Sequence, residues 1–356
     1  MQTNRRSVLR ASGAAALLSV TGLAGCSGIL GGGGGSASDY QYDPGTILET
    51  RNKLFGTVDY AQLYEARENL PESAQESFEG SENSPVNPED LDTMTGVAGA
   101  RVSISDSGSA TVFGSAAILG SFDQAAIEEN IQSEGDTEQT GEYEGFTLYE
   151  STNTSPSVGS LPENTTASVG VTEGVMIIGA GSSQGEGTES VSGRQTVETM
   201  IDAGNGNAKR LLDNSEYAGQ LNDRLGGSTM MIGGQVDPAL VEALTGMSGG
   251  GMQGQFANGI RAGGFGMALN GETTTVTVVG IYQDASTAED TGIVEIVDRF
   301  SQSAVDQNPA LNSVSANYDG SSVVITIEGD TQTLFEQGSS MGGSGFDVAR
   351  PPASQS

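Results

Sequence analysis

Leu54-Phe55-Gly56-Thr57-Val58-Asp59 and, far downstream, Met230 to Val236 followed by Asp237 carry the reading that decides the fold. Each is a short apolar run closed by Val-Asp. Runs of this length and composition are strand signals. An aspartate directly after one is a helix N-cap, because its carboxylate accepts from a free amide of the first turn. In the first copy Gln62 stands at N3, a capping-box arrangement. Ala61, Leu63, Tyr64, Ala66 and Leu70 follow at helical spacing until Pro71. In the second copy Pro238 takes the N1 position that helices favour for proline, and Ala239, Leu240, Val241 and Leu244 follow.

The chain between and after these markers keeps the same rhythm. Residues 100–119 read as a hairpin turned at Asp106-Ser107-Gly108-Ser109. Asp123 caps a helix with Ala126, Ile127 and Ile131 inward, Gly135 to Gly141 reads as a loop, and Tyr143 to Tyr149 returns as a strand. Downstream, Phe265 to Leu269 and Thr274 to Tyr282 flank Asn270-Gly271, a type I′ hairpin signal. Ile293, Ile296, Val297, Phe300 and Ala304 mark an amphipathic helix, and Tyr318-Asp319-Gly320 leads into Val323 to Ile327. The order β-α-β-β-α-β, seen twice, is that of the ferredoxin-like split βαβ. The expected fold is therefore α+β: two related ferredoxin-like units with antiparallel sheets. Val58-Asp59 matches Val236-Asp237, and Tyr143-Glu144-Gly145 matches Tyr318-Asp319-Gly320, which reads as an internal duplication.

The expected domain boundaries are 1–25 (signal peptide), 26–45 (tether), 46–228 (first unit, with an extra hairpin at 167–178 and two helical stretches), 229–336 (second unit) and 337–356 (a Gly/Ser/Pro tail, expected to be disordered). The Gly- and Met-rich stretch 246–264 reads as a loop.

The N-terminus gives an address. Asn4-Arg5-Arg6-Ser7-Val8-Leu9-Arg10 carries a twin arginine, and the weakly apolar run from Ala11 to Leu23 is short of the about 20 apolar residues a membrane span needs. This reads as a signal peptide. Leu23-Ala24-Gly25-Cys26 closes it, and Cys26 is the only cysteine in the chain. These residues resemble a twin-arginine (Tat) signal, on Arg5, Arg6 and Leu9, followed by a lipobox, on Leu23, Ala24 and Gly25. The resemblance implies that Cys26 receives a diacylglyceryl group and becomes the first residue of the mature chain. It also implies that the protein crosses the membrane folded and stays at its outer face. Gly31 to Gly35 lie in the tether that follows.

Composition bounds the partners. The formal net charge is −32, from 46 acidic against 14 basic residues, with no histidine and no tryptophan. Acid excess with only two lysines, Lys53 and Lys209, resembles proteins of salt-loving archaea. Together with the N-terminus it makes the chain similar to haloarchaeal Tat-exported lipoproteins of unassigned activity. Nucleic acid is excluded as a partner, because no basic stripe exists to displace counterions from phosphates. The expected partners are the membrane, through the lipid on Cys26, and an unidentified protein or small molecule.

Chemistry is mostly rejected at this level. Without histidine there is no Ser-His-Asp set and no imidazole metal ligand. Gly181-Ser182-Ser183-Gln184-Gly185 and Gly246-Met247-Ser248-Gly249-Gly250 match G-x-S-x-G, yet nothing takes the serine proton. Gly179-Ala180-Gly181 starts like a dinucleotide fingerprint, but its third glycine, Gly185, comes one position late. Asp202 to Asn207 approaches a calcium loop, with Gly204 where a ligand is needed. No cofactor and no metal are expected. Asn153-Thr154-Ser155 and Asn164-Thr165-Thr166 are candidate N-glycosylation acceptors. The expected function is a non-catalytic binding or assembly module at the outer face of the cell membrane. The alternatives are a carboxylate-based, Ca²⁺- or Mg²⁺-dependent hydrolase, marked by carboxylates converging in one cleft, and a solute-binding lipoprotein of a transporter.

Overall fold

A computed structural model describes residues 36–75, 78, 86–103, 109–133, 137–151, 164–185, 188–241 and 259–341. The signal peptide, Cys26, the tether glycines, Asn153, residues 242–258 and the tail from 342 lie outside them.

The strands are β1 (Asn52–Asp59), β2 (Leu91–Ser103), β3 (Ser109–Gly120), β4 (Thr137–Tyr143), β5 (Phe146–Ser151), β6 (Thr165–Thr172), β7 (Val175–Gln184), β8 (Met230–Gln235), β9 (Ile260–Asn270), β10 (Thr273–Tyr282), β11 (Leu311–Asp319) and β12 (Ser322–Asp330). The helices are α1 (Tyr60–Glu65), α2 (Glu72–Gln75), α3 (Gln124–Ser133), α4 (Gly193–Gly204), α5 (Leu211–Asn214), α6 (Glu216–Leu225), α7 (Ala285–Asp290), α8 (Ile293–Gln307) and α9 (Thr331–Met341).

The twelve strands of the described residues form one sheet, in the order β11-β12-β10-β9-β8-β1-β2-β3-β7-β6-β5-β4. Every registered pair in it is antiparallel. This overturns the expectation of two ferredoxin-like α+β units. In a split βαβ unit the helix joins two strands that run parallel and are separated by a third strand. Here the chain leaves β1 through α1 and returns antiparallel to it as β2, with Asp59 opposite Thr93. The fold is mostly β, and β8 hydrogen-bonds β1, so the two expected units share one sheet.

The topology differs from that expectation at two local points. Thr137 to Tyr143, polar and acidic, is a strand at the sheet edge, where charged side chains discourage further pairing. Tyr143-Glu144-Gly145 is then a hairpin turn, not a strand start. Glu144 (φ 47°) and Gly145 (φ 86°) both adopt the left-handed region, as a type I′ turn requires. Tyr318-Asp319-Gly320 likewise enters the β11–β12 turn, with Gly320 at φ 61°.

Out from the β1–β8 seam, one side runs β1-β2-β3-β7-β6 and the other β8-β9-β10-β12-β11. The strand pair in excess is β4–β5, at the far edge, rather than the hairpin at 167–178 read from sequence.

Asp59 caps α1 by accepting from the Gln62 amide. The box is not closed, since Gln62 Oε1 accepts instead from Thr229 Oγ1 at 2.7 Å and ties α1 to the approach to β8. Asp123 Oδ1 accepts from Ala125 N at 2.8 Å ahead of α3. Gly271 (φ 66°) turns the β9–β10 hairpin where Asn270-Gly271 placed it.

Helices α4 and α6 cover one face of the sheet. There Phe55, Val97, Phe113, Ala117, Ile177 and Leu148 pack under Val197, Met200, Ile201, Leu221 and Leu225, all buried. Gln41 enters the same layer fully buried. Its Nε2 donates toward Thr95 Oγ1 (2.8 Å), Thr57 Oγ1 (3.0 Å) and Gly56 O (3.1 Å), fixing the N-terminal segment across β1 and β2. Lys53, one of only two lysines, reaches Asp43 Oδ1 at 2.5 Å, with both side chains 13% exposed. On the opposite face α3 packs over Ile118, Tyr149 and Val171. Near the other edge α7 and α8 pack over Tyr282 and Val323.

Candidate binding surface

In an antiparallel sheet, residues directly opposite one another share a face. Across the α3/α8 face one such row reads Ala316, Ile325, Val278, Phe265, Ile232, Gly56, Gly96, Ala116, Ile178, Val169, Tyr149. The next row reads Val314, Ile327, Val276, Met267, Met230, Val58, Met94, Ile118, Met176, Val171. The first row contains no charged residue, and the second meets one only at the sheet edge, where it runs on from Val171 through Thr147 to Glu142, in a chain with 46 acids.

The face is covered over β1 to β3, where Val58, Met94, Ala116 and Ile118 are buried, and it opens at β9 and β10. Phe265 and Val278, directly opposite one another on β9 and β10, are 37% and 38% exposed. Phe300 on α8 is 58% exposed, and no residue of α8 is buried despite its apolar stripe. Aromatic and branched side chains in an uncharged row give a surface that gains by being covered, at about 25 cal/mol per Å² of apolar area. Contiguous patches of this kind mark interaction sites. The sequence could not show the row, because its members come from eleven strands and meet only through register.

The positions singled out in the sequence fall elsewhere. Cys26, Arg5, Arg6, Leu9, Leu23, Ala24, Gly25, Asn153 and the Gly246–Gly250 match lie outside the described residues. Asn164 is exposed, with φ 72°, at the entry to β6. Gly179, Gly181 and Ser182 lie within β7 and do not form a turn between strand and helix. A side chain at Gly179 would run into Thr196 and Gly193, and one at Gly181 into Val191, so these glycines let α4 rest on the sheet. Asp202 to Gly204 form the last turn of α4. Among the described residues no group of three or more Asp, Glu, Cys or His is placed to hold a metal, and no helix is long and apolar enough to cross a membrane.

Asp202 has a different occupation. Its Oδ1 accepts from the Tyr143 hydroxyl at 3.0 Å, tying the edge hairpin to α4. Burial of the hydroxyl, then this bond and the negative charges of Asp202, Glu198 and Glu144, push the Tyr143 phenol from 10.0 up to about 12. The raised value means that the protonated phenol is the form the fold favours. Its contribution is full below pH 10.0 and is lost as pH rises through about 12. In a near-ultraviolet titration Asp202→Asn is expected to bring this phenol's midpoint down; an unchanged midpoint would refute the assignment.

No family model matches the chain, and no curated protein matches it. Among solved structures it is similar to TP0453 in crystal form IV, at 12% identity and a TM-score of 0.42 over 85% of this chain and 99% of that one. It is similar to the same protein in crystal form I, at 13% identity and a TM-score of 0.42 over 87% and 99%. Likeness at that level carries neither a fold assignment nor a function.

Proposed function

We propose that the protein is a lipid-anchored, extracytoplasmic binding or assembly module, held at the outer face of the cell membrane through Cys26 and exported by the twin-arginine route. The observation that carries the anchoring is the placement of the chain's only cysteine at the end of the signal-like run, directly after Leu23-Ala24-Gly25. Two acyl chains hold a protein stably where one is marginal, at about 0.8 kcal/mol per buried CH₂. The uncharged row through Phe265 and Val278 supports the binding role. The same strand order on both sides of the β1–β8 seam supports a duplicated origin for the two halves.

The test compares natively expressed protein with Cys26→Ser. The wild type is expected in the membrane fraction, with the mass of residues 26–356 plus a lipid, and the variant in the soluble fraction. Both proteins soluble, with Cys26 unmodified, would end the anchoring reading. A photo-crosslinker at position 265 or 278, used on native membranes in high salt, reads the binding role separately. A monodisperse protein with no crosslink from either position counts against it.

A further inference from the structure

The sequon Asn164-Thr165-Thr166 sits where the chain enters β6, and folding pairs both of its threonines with β7. Thr165 is 8% exposed and stands opposite Ser182 of β7, while Thr166 stands opposite Gly181. The Thr166 hydroxyl, the group that makes the tripeptide an acceptor, is already engaged. It accepts from Gly193 N at 2.9 Å and donates toward Gly181 O at 3.4 Å. The start of α4 presses on the strand just beyond. A Cβ at Gly193 would lie 2.8 Å from both Ala167 Cα and Ser168 N. Asn164 and Thr166 are both exposed, but only Asn164 has no such tie among the described residues, and a transferase needs the whole tripeptide in its own site. To offer it, β6 must come away from β7 and the Thr166 hydroxyl must leave the first turn of α4.

We propose that Asn164 is a glycosylation acceptor only while β6 is unpaired. A glycan there is attached before the sheet closes, and a chain that folds first stays bare at Asn164. The donor class is an oligosaccharide on a polyprenyl phosphate or pyrophosphate. Asn164 Nδ2 forms the bond to the sugar's anomeric carbon, whose bond to the phosphate oxygen breaks. The lipid phosphate leaves with the electron pair, and the amide gives up one proton to a base of the transferase. The proposal builds on the reading of an exported protein. If export is by the twin-arginine route, which carries folded chains, the native protein is bare at this position.

The experiment works in vitro, so that its failure is distinct from a failure of the anchoring reading. Asn153→Gln removes the other acceptor. Membranes carrying an N-x-[ST]-specific transferase and its lipid-linked donor are given three substrates: a synthetic peptide of residues 160–170, the full chain folded in molar salt, and the full chain translated in their presence. Glycopeptide mass spectrometry reads occupancy at Asn164. The peptide and the chain met during translation are expected to be labelled, with loss of labelling for the chain added after folding. Equal labelling of the folded chain and the peptide overturns the proposal, as does a peptide that is never labelled.

Discussion

Gly193→Ala is expected to destabilise the protein by about 3 kcal/mol or more, an overpacking cost at the top of the usual range. Two effects of opposite sign compete at this position. Alanine in place of glycine favours a helix by up to about 1 kcal/mol. Against that, the new Cβ would lie 2.7 Å from Gly179 O and 2.8 Å from both Ala167 Cα and Ser168 N. All three are main-chain atoms of β6 and β7, so no flexible side chain can swing aside. Either α4 lifts from the sheet or the strands part, and Val197, Met200 and Ile201 lose their buried contacts. Gly219→Ala, in the middle of α6, isolates the propensity term. Its Cβ would meet only Leu212 O, at 3.8 Å. That variant is expected to be stabilised by about 0.5–1 kcal/mol. Urea unfolding at one fixed high salt concentration measures both. Equal shifts of the same sign in the two variants would show that close approach of α4 to the sheet is not what Gly193 provides.

These glycines show what the sequence could and could not disclose. Gly179-Ala180-Gly181 is conspicuous as a motif and invites a cofactor or a nucleophile turn. Its physical cause is a helix 14 residues further on, which a local pattern cannot contain. Features whose cause lies within one turn were legible. Asp59 and Asp123 cap, Asn270-Gly271 turns, and residues 293–307 form an amphipathic helix. Features settled by pairing were not. A polar edge strand such as Thr137–Tyr143 lacks the apolar alternation of a half-buried strand, and without it the Tyr143 turn is taken for a strand start. The candidate surface was hidden for the same reason, since Phe265, Val278 and Ile232 become neighbours only once three strands are in register. The anchor is the opposite case: Arg5, Arg6 and Cys26 are legible because an export signal is read by its receptors as a linear segment.

The second large effect follows from charge. Dilution of salt from the molar range to about 0.1 M is expected to lower unfolding free energy by several kcal/mol, a sizeable part of the 5–15 kcal/mol a folded domain holds. With a net charge of −32, most carboxylates have no cation to meet. At 1 M salt the Debye length is about 3 Å, and each carboxylate feels little beyond its contacts. At 0.1 M it is about 10 Å, so acids across a strand pair or along a helix repel one another. Compaction then works against the summed repulsion, which the extended chain relieves. Few local interactions resist this change. The Lys53–Asp43 pair is mostly buried and is screened little, whereas Arg101–Glu189, with side chains 51% and 63% exposed, offers almost nothing at either salt. Salt also strengthens apolar burial by exclusion from the surface, and sucrose separates the two contributions because it is excluded but does not screen. Screening predicts that sucrose at matched osmolality fails to restore the folded state at 0.1 M, while sodium chloride restores it. Recovery in sucrose equal to that in salt would assign the effect to exclusion and leave the acidic shell without a part in stability.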